Sequence, residues 1–407
     1  MRALEYQFSL PNYVAVRAAD RLPLQLIERG TIPGLREIAP EQKPLPGPEW
    51  TRIAPILTGI CGSDISTILN RSSAALMPFT SFPLTPGHEI VGRVTEVGAR
   101  TSGISAGQRV VVMPLISCQM RGVEPCEPCA RGEPGVCTKT TEGDFSAGML
   151  IGFCRDLPGG WSQEMIAHQS QIYAIPDEIP DRAAVLIEPF SVAIHAVLRD
   201  PPPDDAKVLI VGSGTIGLLV LAALRLLGKQ CDVTVLARHP KQVELAEKFG
   251  ATRVLRRKSA GEAAQEVTGA RRFKLIKGGH TYAGGFDWVF DCVGSKTSVD
   301  EGLRVAGPHG HIVMVGCASE VPKLDLSYLW ARELTVTGCY VYGREKSLPG
   351  EPHSFEVAID LLAKCPDFGL DQMVTHTIPL SNWRTGFQTV LDRKGSGAIK
   401  VVYDCQA

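Results

Sequence analysis

Residues 207–217 read KVLIVGSGTIG, and how this stretch folds decides the architecture of the chain. KVLIV is short, apolar and rich in β-branched residues, as a strand buried on both faces of a parallel sheet is. It runs directly into G-x-G-x-x-G at 212–217, and LLVLAAL then continues at helical length. In that strand–turn–helix setting each glycine has a task. Gly212 permits the tight turn, Gly214 lets the backbone approach a pyrophosphate, and Gly217 allows close packing of helix on strand. The helix start, with the N–H groups of Thr215 and Ile216 and the positive end of the helix dipole, then faces the phosphates. Residues 208–224 carry no charge, yet the spaced glycines and the closing Arg225 argue against a membrane span.

Downstream the chain alternates strand and helix. The strand segments are DVTVLA (232–237), TRVLR (252–256), FDWVFDCVG (286–294), GHIVMVG (310–316) and LTVTGCYVY (334–342), separated by helical segments such as KQVELAEKFG (241–250) and VDEGLRVAG (299–307). Apolar strands between amphipathic helices predict an α/β domain with a doubly wound parallel sheet. RRFKLIKGGHTYAGG (271–285) breaks the rhythm and reads as a loop or an excursion. Upstream, the three prolines of LRDPPPDDAK (198–207) mark a junction. Before them, Gly- and Pro-rich sequence with short runs such as EIVGRVTEVG (89–98) and RVVVMPLI (109–116) predicts a mostly-β domain. The expected division is 1–195 completed by 344–407, and 196–343. The tail supplies a helix, SFEVAIDLLAKC (354–365), and a strand, AIKVVY (398–403).

The end of the strand after the glycine turn bears on cofactor choice. NAD sites place a carboxylate there for the ribose 2′-hydroxyl. In VTVLARHPK that place holds Ala237 and Arg238 instead. A guanidinium pairs with a 2′-phosphate, and His239 and Lys241 add positive charge, so NADP is favoured, with NAD remaining possible.

The chain has 407 residues, 44% of them hydrophobic, and a formal charge of −1, which fits two large domains and argues against nucleic-acid or membrane partners. MRALEYQFSLPNYVAVRAAD contains no signal-peptide run, so a cytoplasmic protein is expected. Twelve cysteines in such a setting point to metal binding or burial rather than to disulfides. Cys61 in GICGSD and His88 in PGHE are zinc-ligand types, and Asp64 is suited to hold the other nitrogen of His88. Cys118, Cys126, Cys129 and Cys137 suit a closed structural zinc site.

GICGSD, PGHEIVG, the cysteine cluster, the EP-containing segment LIEPFSVAIHAV, GSGTIG and FDCVG occur in an order that resembles the zinc-dependent medium-chain dehydrogenase/reductases, the alcohol dehydrogenase type. The resemblance covers nearly the whole chain. It implies a GroES-like catalytic domain beside the dinucleotide-binding domain, and a catalytic zinc held by Cys61, His88 and a third residue, Glu188. Glutamate there marks the sorbitol and threonine dehydrogenase branch. Glu89 is expected to coordinate transiently or to hydrogen-bond nearby. Ser63 matches the hydroxyl that passes on the alcohol proton, and Ser66 stands where many relatives carry a relay histidine. The family usually has two residues between its first two structural cysteines, so QMRGV reads as an insertion after Cys118.

The implied reaction is hydride transfer between an alcohol and the nicotinamide of NADP, by a homodimer or homotetramer whose sheet edge near GCYVYG (338–343) makes a contact. Leu76, Met77, Phe79, Phe82 and Trp161 either line an apolar pocket or pack. Two alternatives are a zinc-independent enone or quinone reductase, which the metal-ligand set opposes, and a non-catalytic NADPH-binding protein, which the missing histidine favours.

Overall fold

The computed structural model describes residues 1–19, 32–317, 320–321 and 323–407. The chain divides into two compact units, Met1–Glu188 with Ala358–Ala407, and Pro189–Val357. The first division falls at the start of the helix Ile187–Arg199, so the three prolines at 201–203 lie inside the second unit.

The second unit holds the doubly wound sheet. Its six strands lie in the order Arg253–Arg256, Asp232–Ala237, Lys207–Val211, Phe286–Asp291, Ala306–Met314 and Thr335–Gly338. All neighbours are parallel. The chain starts in the middle, winds to one edge, returns past Lys207–Val211 and winds to the other. The switch point therefore lies between Lys207–Val211 and Phe286–Asp291, and ligands bind at the carboxyl ends of such strands. Leu209, Ile210, Val289 and Phe290 are fully buried, which explains strands apolar on both faces. The helix Thr215–Leu226 buries Leu218 through Leu224. Its apolar character is that of a core helix, and no helix of the described residues is long and apolar enough to cross a membrane.

Residues 271–285 form an excursion of definite structure. Arg271–Lys274 and His280–Ala283 pair as an antiparallel hairpin, turned by Gly278 and Gly279 at φ 86° and 79°. Arg304 donates to the carbonyl of His280 at 2.9 Å, and Arg332 to that of Tyr282. Both strands lack an alternating apolar face because the hairpin stands mostly in solvent, so period-two patterning had nothing to mark.

The first unit is built on a seven-stranded sheet. Val374–Pro379, Lys400–Asp404, Trp50–Gly59, Ile90–Val97, Arg109–Val112 and Ile172–Ala174 follow in order, and Met165–His168 also pairs with Trp50–Gly59. Val402 lies opposite Gly59, and Thr58 opposite Ile90. Three strands far apart in sequence thus bring their ends together where Cys61, His88, Glu89 and Lys400 sit. Trp161 is fully buried beneath, edge-on to Tyr403 at 5.3 Å, and Phe82 packs on Tyr6. These two aromatics are packing residues, whereas Leu76, Met77 and Phe79 are exposed on the short helix Ala74–Phe79.

Candidate metal centres and dinucleotide cradle

Cys61 caps the short helix Gly62–Ile68, just past one strand end, and His88 and Glu89 lead into the next strand. One ligand atom from each of the three lies within 4.8 Å of the others. Asp64, 1% exposed, organises this corner: its carboxylate accepts from the Cys61 and Gly87 backbone N–H groups at 3.0 and 3.3 Å. It also lies 3.2 Å from Nδ1 of His88, leaving Nε2 to face the site. Burial lowers the His88 pKa, but Asp64 and the Cys61 thiolate overcome it, so the imidazole is held well above its ordinary value. The corner is built to concentrate positive charge between a thiolate and carboxylates, as a cation site is.

Glu89 belongs to this group, and Glu188 falls outside it. Glu188, 6% exposed, sits in the first turn of its helix, where only a fold-wide relation, not local spacing, ties it to Cys61. The Glu89 carboxylate is ion-paired with Lys400, both side chains being 3% exposed or less. Lys400 also donates to the Ile60 carbonyl at 3.3 Å. A Cβ on Gly59 would stand 1.6 Å from Glu89 Oε2, so only glycine leaves room for that carboxylate. Sequence reading missed Lys400; its one trace was a cation inside the apolar strand AIKVVY. Ser63 Oγ lies 3.5 Å from His88 Nε2, the outer limit of a hydrogen bond, and Ser66 is half-buried on the same helix.

The four cysteines of the second centre also converge. Cys118, Cys126, Cys129 and Cys137 place all four sulfurs within 4.8 Å of one another. The Cys137 sulfur is 3.6 Å from that of Cys118 and 3.8 Å from that of Cys126. Zinc–sulfur bonds of about 2.3 Å in a tetrahedron require sulfurs about 3.8 Å apart, so the cage fits zinc. The thiols do not titrate alike. Burial opposes ionisation of Cys126, but donors at Thr138 and Cys129 bring it down to about 6, while burial pushes Cys137 up to about 11 and raises Cys129 as well. A divalent cation is what allows all four to ionise. The insertion after Cys118 leaves that ligand in place.

In the second unit, Gly212 turns the chain at φ 95°, and a Cβ on Gly217 would stand 1.8 Å from the Gly212 carbonyl oxygen. Gly214 caps the helix Thr215–Leu226 and, lacking a side chain, makes no side-chain capping hydrogen bond there. This is the cradle expected for a pyrophosphate. Arg238 follows the strand Asp232–Ala237; its backbone N–H and that of His239 donate to Gln242 at 2.9 and 3.1 Å. The Arg238 guanidinium is exposed and makes no ion pair among the described residues, whereas Lys241 is paired with Glu244 at 2.5 Å. Arg238 is therefore the available cation of the three.

The class defined by this fold and these centres agrees with comparison to known proteins. The alcohol dehydrogenase GroES-like domain family matches residues 47–177, and the zinc-binding dehydrogenase family matches 215–364. Sorbitol dehydrogenase of Bos taurus is 27% identical over 394 residues, 95% of this chain and 98% of that one. A zinc-binding dehydrogenase of Sinorhizobium meliloti 1021 bound to NADP superposes with a TM-score of 0.67 at 26% identity, covering 91% of this chain and 95% of that one. RspB of Escherichia coli CFT073, solved with NADH, gives 0.69 at 24%, covering 91% of this chain and 95% of that one. The chain belongs to the zinc-dependent medium-chain dehydrogenase/reductase family of alcohol dehydrogenases, with a GroES-like domain and a Rossmann-type sheet.

Proposed function

We propose that this chain is a zinc-dependent oxidoreductase that moves a hydride between a secondary alcohol or polyol and NADP, reversibly giving a ketone or aldehyde. The observation that carries the reading is the convergence of Cys61, His88 and Glu89 beside the Ser63 hydroxyl, in a family that includes a sorbitol dehydrogenase. Zinc bound there would supply a Lewis acid that favours the deprotonated alcohol. Around it, Asp64 fixes the His88 ring and tautomer. Ser63 takes up the alcohol proton. Lys400 cancels the charge of Glu89, so that carboxylate can ligate without leaving the centre net negative. Cys118, Cys126, Cys129 and Cys137 hold the structural zinc.

Glu89 and Glu188 are both assigned to the catalytic metal, in different roles. Glu89 is the ligand in the arrangement described above, and Glu188 bears on the metal only during turnover. On this reading Glu89→Gln retains one zinc per chain, while Glu188→Gln retains two and loses turnover. The opposite pattern would make Glu188 the resident ligand.

The enzyme is read as cytoplasmic, where thiols stay reduced and available to zinc. It is also read as a homodimer or homotetramer, joined along the edge strand Thr335–Gly338, where Val336 is 45% exposed. The preference for NADP rests on the unpaired Arg238. The direct test is turnover of zinc-loaded protein with NADP⁺ and NAD⁺ over a panel of secondary alcohols and polyols. Charged hydrogen bonds contribute roughly 1.5–3 kcal/mol, so Arg238→Ala should lower kcat/KM for NADP⁺ by about 10- to 100-fold and leave NAD⁺ nearly unchanged. A parent enzyme that prefers NAD⁺ would overturn the assignment of Arg238 but not the zinc chemistry.

A further inference from the structure

Two strands of the dinucleotide-binding sheet end side by side, and each passes straight into an arginine. Asp232–Ala237 is followed by Arg238, and its outer neighbour Arg253–Arg256 by Arg257. Arg256 pairs with Ala237 in parallel register, and the Arg257 N–H then donates to the Ala237 carbonyl at 2.8 Å. The ladder thus runs one residue past the strand and sets Arg257 next to Arg238. Neighbouring strands lie about 4.8 Å apart, so both side chains leave the same rim from adjoining positions. That rim is the carboxyl end of the sheet, where ligands of doubly wound sheets bind.

The residue type at 257 is informative. Its backbone stands at φ 57°, in the left-handed region, where a Cβ is costly and glycine is the ordinary choice. A turn alone would be better served by glycine, so an arginine here is kept for its side chain, as strained positions at binding sites are. That side chain is exposed and has no ion pair or hydrogen bond among the described residues. Two other cations close by in sequence are engaged, Lys241 with Glu244 and Lys258 with Glu266. Arg256 is exposed too, but it belongs to the paired strand, whereas Arg257 lies beyond its end. A 2′-phosphate is a monoester with close to two negative charges near neutral pH, and one guanidinium neutralises only half of that. A second supplies the rest, and the planar fork of each takes two phosphate oxygens.

We propose that Arg257 is a second specificity-determining residue for NADP, closing on the 2′-phosphate from the strand beyond Arg238. The inference rests on the NADP reading and deepens it: selection comes from two arginines on adjoining strand ends, one of them held in a left-handed turn. With NAD, which carries a hydroxyl at that place, Arg257 has no charge to neutralise. It therefore acts on the choice between the two dinucleotides and not on the affinity common to both.

The experiment measures NADPH and NADH affinity of the zinc-loaded protein by nucleotide fluorescence, with 2′,5′-ADP as competitor, in the parent, Arg257→Gly, Arg257→Lys and Lys274→Ala. Glycine is the clean deletion because it keeps the left-handed turn, so Arg257→Gly should melt no lower than the parent. It should weaken NADPH and 2′,5′-ADP by about tenfold or more and leave NADH within about twofold. Arg257→Lys keeps the charge without the fork, so its NADPH affinity should lie between those of the parent and the glycine variant. Lys274→Ala removes an equal charge from the exposed hairpin and should shift neither affinity by more than about twofold. Equal weakening of NADPH and NADH in Arg257→Gly, or a Lys274→Ala loss as large as that of the glycine variant, would overturn the proposal. A parent that binds NADPH no tighter than NADH overturns the NADP reading and this inference together. A parent that prefers NADPH, with the glycine variant unchanged, overturns this inference alone.

Discussion

Two oppositely charged side chains of this chain meet in a place that water does not reach. Lys400 and Glu89 form a buried ion pair at the metal corner. Removing one member of such a pair strands the other, at roughly 3–5 kcal/mol, whereas removing both is far milder. Lys400→Met should therefore lower the urea midpoint strongly, and Lys400→Met with Glu89→Gln should recover most of the loss. Independent, additive effects would show that the pair does not form. His353, half-buried, is a second group with a readable consequence. Burial holds its pKa down to about 4, with Arg344 and His195 adding to the effect. The unfolded chain titrates near ~6.5, so it binds more protons than the native state between those values. The contribution is fully present above about pH 6.5 and is lost as pH falls toward about 4, by up to ~3 kcal/mol. His353→Phe should flatten the fall of melting temperature across that window. An unchanged slope would place the sensitivity elsewhere.

Elements of this fold differ in how much they carry. The helix Thr215–Leu226 is buried along most of its length, and its start is the phosphate cradle, so its glycines are constrained by packing and by ligand together. The hairpin 271–283 is the opposite case. Arg271, Arg272 and Lys274 line a short strand exposed at every residue, and Ile276 stands fully free at the turn. Cations on a short edge strand block pairing with other chains, and that suffices to account for them. Only Tyr282 reaches the core of the unit. Replacing residues 275–279, between the paired Lys274 and His280, by a two-residue Asn-Gly turn should shift stability by less than about 0.5 kcal/mol, as surface changes usually do. A large drop in melting temperature would mean that the tip supports more than it touches.

Across the whole molecule, the two metal centres belong to one compact unit and the dinucleotide cradle to the other. Chelation should therefore act unevenly. Stripping both zincs should abolish turnover and lower the melting temperature of the first unit, because metal binding adds directly to its stability. NADPH binding by the stripped protein, followed by nucleotide fluorescence, should stay within about threefold of the holoenzyme, as expected for separate sites. Loss of binding on chelation would show that the metal unit is needed to shape the cradle.

What the sequence determined by itself was whatever is local. A strand buried on both faces, a glycine triplet and a helix start follow one another within a few residues, and each leaves its own period or spacing. The family order of GICGSD, PGHE and the cysteines extended this legibility to both metal centres. Local patterns could not show the partner of Glu89, because Lys400 arrives on the last strand and meets it only through the pairing of Lys400–Asp404 with Trp50–Gly59. Nor could they show that Glu89 lies within one group with Cys61 and His88 while Glu188 falls outside it. Those features depend on charge neutralisation across long-range contacts, and neutralising a buried charge requires a partner in space but no fixed spacing along the chain.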